Sequence, residues 1–326
     1  MMQLKYLVDD RPMVLDILSR WEYDADNLDL LNHYRISANA VYPFTCGGAV
    51  RILRFAPAAE KSLKQVRAEL DFLRHLRGNG YPVPNTVFSR QGEEVEVVQT
   101  AIGPVYAQVF TRVPGAQLDL DTMDETTAQG WGAALGRLHA LSEGYEPDGE
   151  RRIDWCEQMA WMRGVFEKNG AQDALAEWER VNAWLSGLPV DRETYGLIHY
   201  DFEDDNVFLD AETGIFHAID FDDALYHWYA VDVAVSLSCL EELPRERADW
   251  LQAAFLAGYR QQRRLGASWE QRFPHFRRYM ALNSCARLLH ALGGEAIADP
   301  PQWMVQLRAK LDAMLRSRRE GFLQPW

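Results

Sequence analysis

No Cys-x-x-Cys and no paired Cys/His spacing occurs in the chain. Its four cysteines, Cys46, Cys156, Cys239 and Cys285, lie far apart, which argues against zinc or a redox dithiol and fits free thiols in a reducing compartment. No apolar run approaches the roughly 18 residues that a membrane span needs. Residues 1–10 turn acidic before a secretory apolar core can develop, so a cytoplasmic location is expected. Basic charge is in deficit. The 34 Lys and Arg against 48 Asp and Glu give a net charge of -14, which argues against nucleic acid or an anionic membrane as partner. A nucleotide bound by such a chain must be held by local donors or a metal. There is no Gly-x-Gly-x-x-Gly near the N-terminus, no internal repeat and no low-complexity segment. The rest is ordinary for a globular protein: 326 residues, 48% hydrophobic and 25% charged, long enough for an enzyme with an interdomain cleft.

The pattern changes along the chain. Val14, Leu15 and Leu18 at helical spacing, with Trp21 a turn later, predict a helical lead-in within residues 1–30. Residues 34–36 and 39–44 read as strand, Gly47-Gly48 as a turn and 50–55 as an alternating strand, together a β-hairpin. A helix over about 59–76 carries the apolar stripe Leu63, Val66, Leu70, Leu73 and Leu76, and ends at Gly78-Asn79-Gly80. Three strand-like segments follow at 85–89, 94–100 and 105–113. From Pro114-Gly115 the pattern is mainly helical, with helices expected near 124, 153, 171, 228, 245, 268 and 301 and short strands near Leu197, Val207 and Phe216. The expected fold class is α+β, in two lobes: a small antiparallel sheet with one helix at 1–113, and a larger helical lobe at 114–326.

Chemistry concentrates in Leu197-Ile198-His199-Tyr200-Asp201-Phe202-Glu203-Asp204-Asp205-Asn206-Val207-Phe208 and Ala218-Ile219-Asp220-Phe221-Asp222. His-x-Asp, an Asn five residues past the Asp, and an apolar-flanked Asp fourteen residues further on is the order of base and metal ligands in kinase-type phosphotransferases. Asp201 is placed to orient a substrate hydroxyl and take its proton. Asn206 and Asp220 offer the hard oxygens that suit Mg²⁺, whose shell phosphates and waters complete. His199 is read as structural, holding the loop through backbone hydrogen bonds.

On these residues the chain resembles the aminoglycoside phosphotransferase and choline kinase-like family. The resemblance runs from about residue 34 to 292 and is strongest from Gly196 to Ser236. It implies a protein-kinase-like two-lobed fold and phosphorylation of small molecules with ATP and Mg²⁺. It implies that Asp232, in Tyr229-Ala230-Val231-Asp232-Val233-Ala234, braces the catalytic loop. It also implies that the backbone of Val109-Phe110-Thr111-Arg112-Val113-Pro114-Gly115 reads the adenine edge, which makes Phe110 and Arg112 cofactor-site residues. Arg54 occupies the strand position of the family's phosphate-contacting Lys, and Glu69 on the following helix is its expected partner; an acid reaching water is the alternative for Glu69. Ser37 and Asn39 stand where the family has a short polar turn, although Ser and Asn in a turn need no functional reason. Gly136-Arg137-Leu138-His139 resembles a helical signature, with His139 read as a hydrogen-bonded core histidine. Tyr200 departs from the pattern, since a small residue is usual between His and Asp.

For the acceptor, Asp222, Asp223, Tyr226, His227, Trp228 and Tyr229 are candidates, because aromatics and carboxylates attract an amine or quaternary ammonium. Tyr200 and Asn283 belong to the same set. Trp228 and Tyr229 as packing for the following helix is an equal alternative. Asn283, Arg287 and His290 share one helix face, which a solvated surface would explain equally well. Aminoglycosides, choline-like alcohols, homoserine and sugars are all acceptors on such folds, so the fold does not choose among them. Two other functions stay open. A protein kinase lacks support because no Ala-Pro-Glu follows Asp220. A catalytically silent nucleotide-binding protein draws on Arg54, Tyr200 and the missing glycine-rich loop. The oligomeric state is open, a homodimer included.

Overall fold

The computed structural model describes residues 1–7, 10–294 and 299–325. Val8 and Asp9, inside the predicted lead-in, lie outside the described residues, as do 295–298 and 326 in the second lobe. Helix α1 (Arg11–Leu18) starts where the Asp10 carboxylate accepts from Met13 N at 3.2 Å. Strands β1 (Arg35–Ile36), β2 (Ala40–Cys46) and β3 (Ala49–Pro57) follow. The predicted hairpin is β2–β3, closed by Gly47 and Gly48 at φ 58° and 74°, a left-handed pair that glycine adopts freely. Helix α2 (Leu63–Gly78) begins with the first residue of the apolar stripe, four residues after the expected start near 59, because Ser62 and Gln65 form a capping box there. Strands β4 (Thr86–Val87), β5 (Glu96–Thr100) and β6 (Gly103–Thr111) complete an antiparallel sheet ordered β1-β2-β3-β6, with β4 and β5 sharing the outer edge of β6.

Strand alternation gives this sheet two faces. Tyr42, Phe44, Leu53, Phe55, Val105 and Val109 pack against Val14, Ile17, Leu18 and Trp21 from α1 and its exit. Arg54 and Phe110 point the other way, toward α2, and the β3–β6 register sets Arg54 opposite Gln108. A charged residue is thus delivered into the space between the sheet and α2.

The second lobe contains β7 (Ala116–Gln117), α3 (Glu125–Ser142), α4 (Trp155–Lys168), α5 (Gln172–Ser186), β8 (Tyr195–Ile198), β9 (Val207–Asp210), β10 (Ile215–Ala218), β11 (Leu225–Trp228), α6 (Tyr229–Ser236), α7 (Arg245–Gln262), α8 (Ala267–Glu270), α9 (Phe273–Leu292) and α10 (Gln302–Gly321). Strands β10-β9-β7 form one small sheet and β11-β8 another. The helix expected near 228 starts at Tyr229, and the segment before it, 225–228, is a strand paired antiparallel to β8. Among the described residues no helix is long and apolar enough to cross a membrane.

The packing that matters most for the site is α3 against α7. A Cβ on Gly132 would stand 1.9 Å from Phe255 O, and one on Gly258 would stand 1.8 Å from Gln129 O. The backbones therefore touch, which brings Tyr259 of α7 to within 2.9 Å of His139 Nδ1 on α3. Gly132→Ala and Gly258→Ala should each destabilise the protein by at least about 1–3 kcal/mol through overpacking, read as a melting temperature several degrees lower.

Candidate active site

The loop after β8 is hung from one carboxylate. Asp232, in the first turn of α6 and fully buried, accepts from His199 N at 2.8 Å, Tyr200 N at 2.7 Å and His139 Nε2 at 2.9 Å. Tyr259 OH donates to His139 Nδ1, so this imidazole is fixed with its proton on Nε2. The same logic fixes His199. Its Nε2 faces Ile219 O at 2.9 Å and can only donate, while its Nδ1 accepts from Asp201 N at 3.2 Å. Burial lowers the pKa of both histidines. His199 thus ties the loop that carries Asp201 to the segment that carries Asp220.

Asp201, Asn206 and Asp220 line one cavity of about 1070 Å³. Asn206 donates its amide hydrogens to Asp201 O at 2.9 Å and Asp201 Oδ2 at 2.7 Å, which leaves Oδ1 as its atom for a ligand. Ile219 N donates to Asn206 O at 3.0 Å and so brings Asp220 alongside. Asp220 itself sits at φ 59° in the left-handed region, a conformation that Asp tolerates better than most residues. Burial raises the pKa of Asp201 well above the usual carboxylate range, and Asp223, Glu203 and Asp220 push it further. Glu203 lines the cavity too; burial pushes it up against the lowering by the Ser238 hydroxyl, which donates at 2.8 Å. Asp220 is pushed up to about 6 by desolvation in the cleft, with Arg54 opposing and Asp222 and Glu69 adding to the rise. Among the described residues no three His, Cys, Asp or Glu converge as a metal cage. A cation here would draw on Asn206 Oδ1 and the Asp220 carboxylate, both of which line the cavity.

Above this floor, Arg54 Nη2 donates to Glu69 Oε1 at 2.8 Å, Glu69 Oε2 at 2.7 Å and Gln108 Oε1 at 3.2 Å, and Nη1 reaches Asp220 Oδ1 at 3.4 Å. Its guanidinium lies 4.9 Å from the centre of the Phe110 ring. Burial works against the charge on Arg54, but Glu69, Asp222 and Asp220 more than offset it and raise its pKa. Glu69 keeps only 1% of its surface exposed, so the alternative of an acid reaching water does not hold. The pair links α2, β3 and the Asp220 segment.

The other predicted site residues fall into three groups. Ser37 and Asn39 line the same cavity, but the Asn39 amide is engaged, donating to Asp222 Oδ2 at 3.1 Å and accepting from Lys61 Nζ at 2.9 Å. Asp222 is ion-paired with Lys61 and Asp223 with Arg287, whose Nη1 lies 2.8 Å from Asp223 Oδ2. Both acids are held below the usual range by these cations in spite of burial. They are internal counter-ions, not free anchors for a cationic acceptor. Asn283 and Tyr200 line the cavity and bond to each other, Nδ2 to phenol oxygen at 3.0 Å. Arg287 and His290 do not form a solvated helix face, because His290 bonds Glu60 at 2.7 Å.

Trp228 must be corrected. It is fully buried, its indole donates to Pro189 O at 2.7 Å, and it packs 5.4 Å from Trp155 and from Tyr195. The β8–β11 pairing turns it into the core, and it lines neither of the cavities flanking Tyr200. Phe110 is buried beneath Arg54 and Arg112 is exposed; their side chains line neither cavity. Two residues were not found from sequence. Lys61 joins Asn39 to Asp222. Arg152 donates to Ala224 O at 2.6 Å, to Gln65 O at 3.0 Å and to Asp222 O, fastening α2 to the segment after Asp220.

The raised pKa of Asp220 has a stability consequence. A carboxyl that binds its proton more tightly folded than unfolded loses stability as pH rises from the unfolded value near 4 through the folded value near 6. The Asp220 side chain is 42% exposed, so solvent screens much of this effect; in metal-free protein Asp220→Asn should melt slightly higher than the parent at pH 7–8, and the gap should close toward pH 4. A melting series in a chelating buffer measures it.

Residues 37–265 match the family model described as the phosphotransferase enzyme family. Amicoumacin kinase of Bacillus subtilis (strain 168) is 24% identical over 285 residues, covering 84% of this chain and 83% of that protein. Among solved structures, amicoumacin kinase hAmiN in complex with AMP-PNP, Ca2+ and Ami aligns with a TM-score of 0.79 at 24% identity over 96% of this chain and 93% of that one. The microcompartment-associated aminopropanol kinase aligns with a TM-score of 0.71 at 26% identity over 96% and 98%. The architecture is the two-lobed, protein-kinase-like α+β fold of these proteins. With more than half its length matched, and a His-x-Asp loop, an Asn and an Asp around one cleft, the chain belongs to the phosphotransferase enzyme family.

Proposed function

We propose that this phosphotransferase moves the γ-phosphoryl group of ATP, with Mg²⁺, to a hydroxyl of a small amine-bearing molecule. The observation that carries the reading is the common cavity of Asp201, Asn206 and Asp220, in which the Asn206 amide holds the Asp201 carboxylate at 2.7 Å. The aminopropanol kinase and amicoumacin kinase likenesses support an alcohol acceptor on a molecule of modest size. The nucleotide would lie between lobes divided at 113/114, with the backbone of residues 109–115 at the adenine edge and Ser37 beside the phosphates.

Asp201 orients the acceptor hydroxyl and takes its proton as the new oxygen–phosphorus bond forms and the bond to the β-phosphate oxygen breaks, releasing ADP. Burial and neighbouring acids raise Asp201, which increases its affinity for that proton. Arg54, fixed by Glu69 and Gln108, contributes an unchanging positive charge at the phosphate end. Asn206 Oδ1 and the Asp220 carboxylate would hold Mg²⁺, which supplies charge neutralisation on the phosphates.

Asp201→Ala should lower turnover by about 10²–10⁴-fold while leaving the affinity for an ATP analogue nearly unchanged. Steady-state ADP release and calorimetric titration measure the two quantities, and normal turnover in this variant would contradict the assignment. ADP release with aminopropanol and with amicoumacin as acceptors, each checked for the phosphorylated product, tests the acceptor class.

A further inference from the structure

Tyr200 occupies a backbone conformation that suits another residue. Its φ is 65°, in the left-handed region where glycine is at ease and an aromatic side chain is strained. The turn itself is required, because consecutive N–H groups of His199 and Tyr200 must both reach Asp232. Glycine would make the same turn and the same hydrogen bond without strain. The ring is therefore held there against a local preference, which is the usual mark of a functional constraint.

The surroundings show what the ring does. Tyr200 is 7% exposed, and its phenol oxygen accepts from Asn283 Nδ2, whose Oδ1 in turn accepts from Gln158 Nε2 at 2.7 Å. Its edge meets Tyr279 at 6.0 Å between ring centres. Tyr200 lines both the cavity of about 1070 Å³ that contains Asp201 and a second cavity of about 380 Å³, lined by Glu60, Gln158, Trp161 and His290, which Asp201 does not line. The Asp223–Arg287 ion pair borders both cavities as well, as do Met1, Ala38 and Asp222.

We propose that Tyr200 is a specificity-determining wall: with the Asp223–Arg287 pair it closes the acceptor site against the 380 Å³ chamber and limits how far an acceptor extends beyond the reacting hydroxyl on that side. The proposal rests on the phosphotransferase reading of the same cleft. It accounts for the strain, since a large, anchored side chain stands where the two spaces meet. Loss of the ring joins them.

The test compares Tyr200→Gly and Tyr200→Phe with the parent, using aminopropanol as the small probe and amicoumacin as the large one. Glycine suits φ 65°, so the loop keeps its course, and phenylalanine keeps the wall without the phenol. Tyr200→Gly should raise the ratio of kcat/KM for amicoumacin over aminopropanol by about tenfold or more, the scale on which pockets discriminate by apolar bulk. Tyr200→Phe should leave that ratio close to the parent's. Calorimetric binding of the same probes to AMP-PNP-loaded proteins reads the wall without turnover and should show the same shift. An unchanged binding ratio in Tyr200→Gly overturns the wall. A shifted binding ratio with no phosphorylated product from any of the three proteins upholds the wall and overturns the phosphotransferase reading alone.

Discussion

With no water in reach, the Asp232 carboxylate is satisfied by the backbone N–H groups of His199 and Tyr200 and by His139 Nε2. A buried carboxylate stripped of such donors would be costly, and the donors would be equally costly without it. The course of the loop after β8 is therefore set by electrostatics rather than by chain propensity. Propensity in fact opposes it, because Tyr200 must turn left-handed to present its N–H. The supports extend outward through Tyr259 to the backbone contact of α3 with α7, where only glycine fits. A helix crossing far from the cleft thus fixes the position of Asp201.

The charges of the cleft are settled internally before any ligand arrives. Arg54 is paired with Glu69, Asp222 with Lys61 and Asp223 with Arg287. Asp201 and Asp220 differ: Asp201 is raised by burial and acid neighbours, and Asp220 is raised in spite of its 3.4 Å contact with Arg54. Carboxylates perturbed in this way mark the place where cations or protons are exchanged. The net charge of -14 makes the pattern more telling, because a nucleotide enters against an acidic background and depends on the few cations the fold has fixed in place.

Much of this was legible in the sequence, for physical reasons that differ by residue. Asp201, Asn206 and Asp220 lie close along the chain at fixed offsets, so local spacing reveals them. Arg54 and Glu69 are read from strand alternation and from an acid beside an apolar helix stripe. Lys61 and Arg152 carry no such signal: their partners on Asp222 lie 161 and 70 residues away, and such pairing has no period; helix spacing put Arg287 on a face but could not name Asp223, 64 residues away, as its partner. Trp228 misled because an aromatic beside acids resembles a cation site, and only the β8–β11 register shows that it faces inward. The start of α2 lies after the expected residue 59 because the capping box of Ser62 with Gln65, not the Ala58-Ala59 pair before it, sets the boundary.

Asp232 holds the loop on which the proposed phosphoryl transfer depends. Asp232→Asn puts an amide donor opposite at least one backbone N–H, His199 N or Tyr200 N, that can only donate. Thermal melting and basal ATP hydrolysis of this variant, measured together below its melting temperature, test the claim most directly. The predicted result is a loss of about 3–5 kcal/mol in stability together with near-complete loss of turnover in protein that is still folded. Full turnover with an unchanged melting temperature would contradict it.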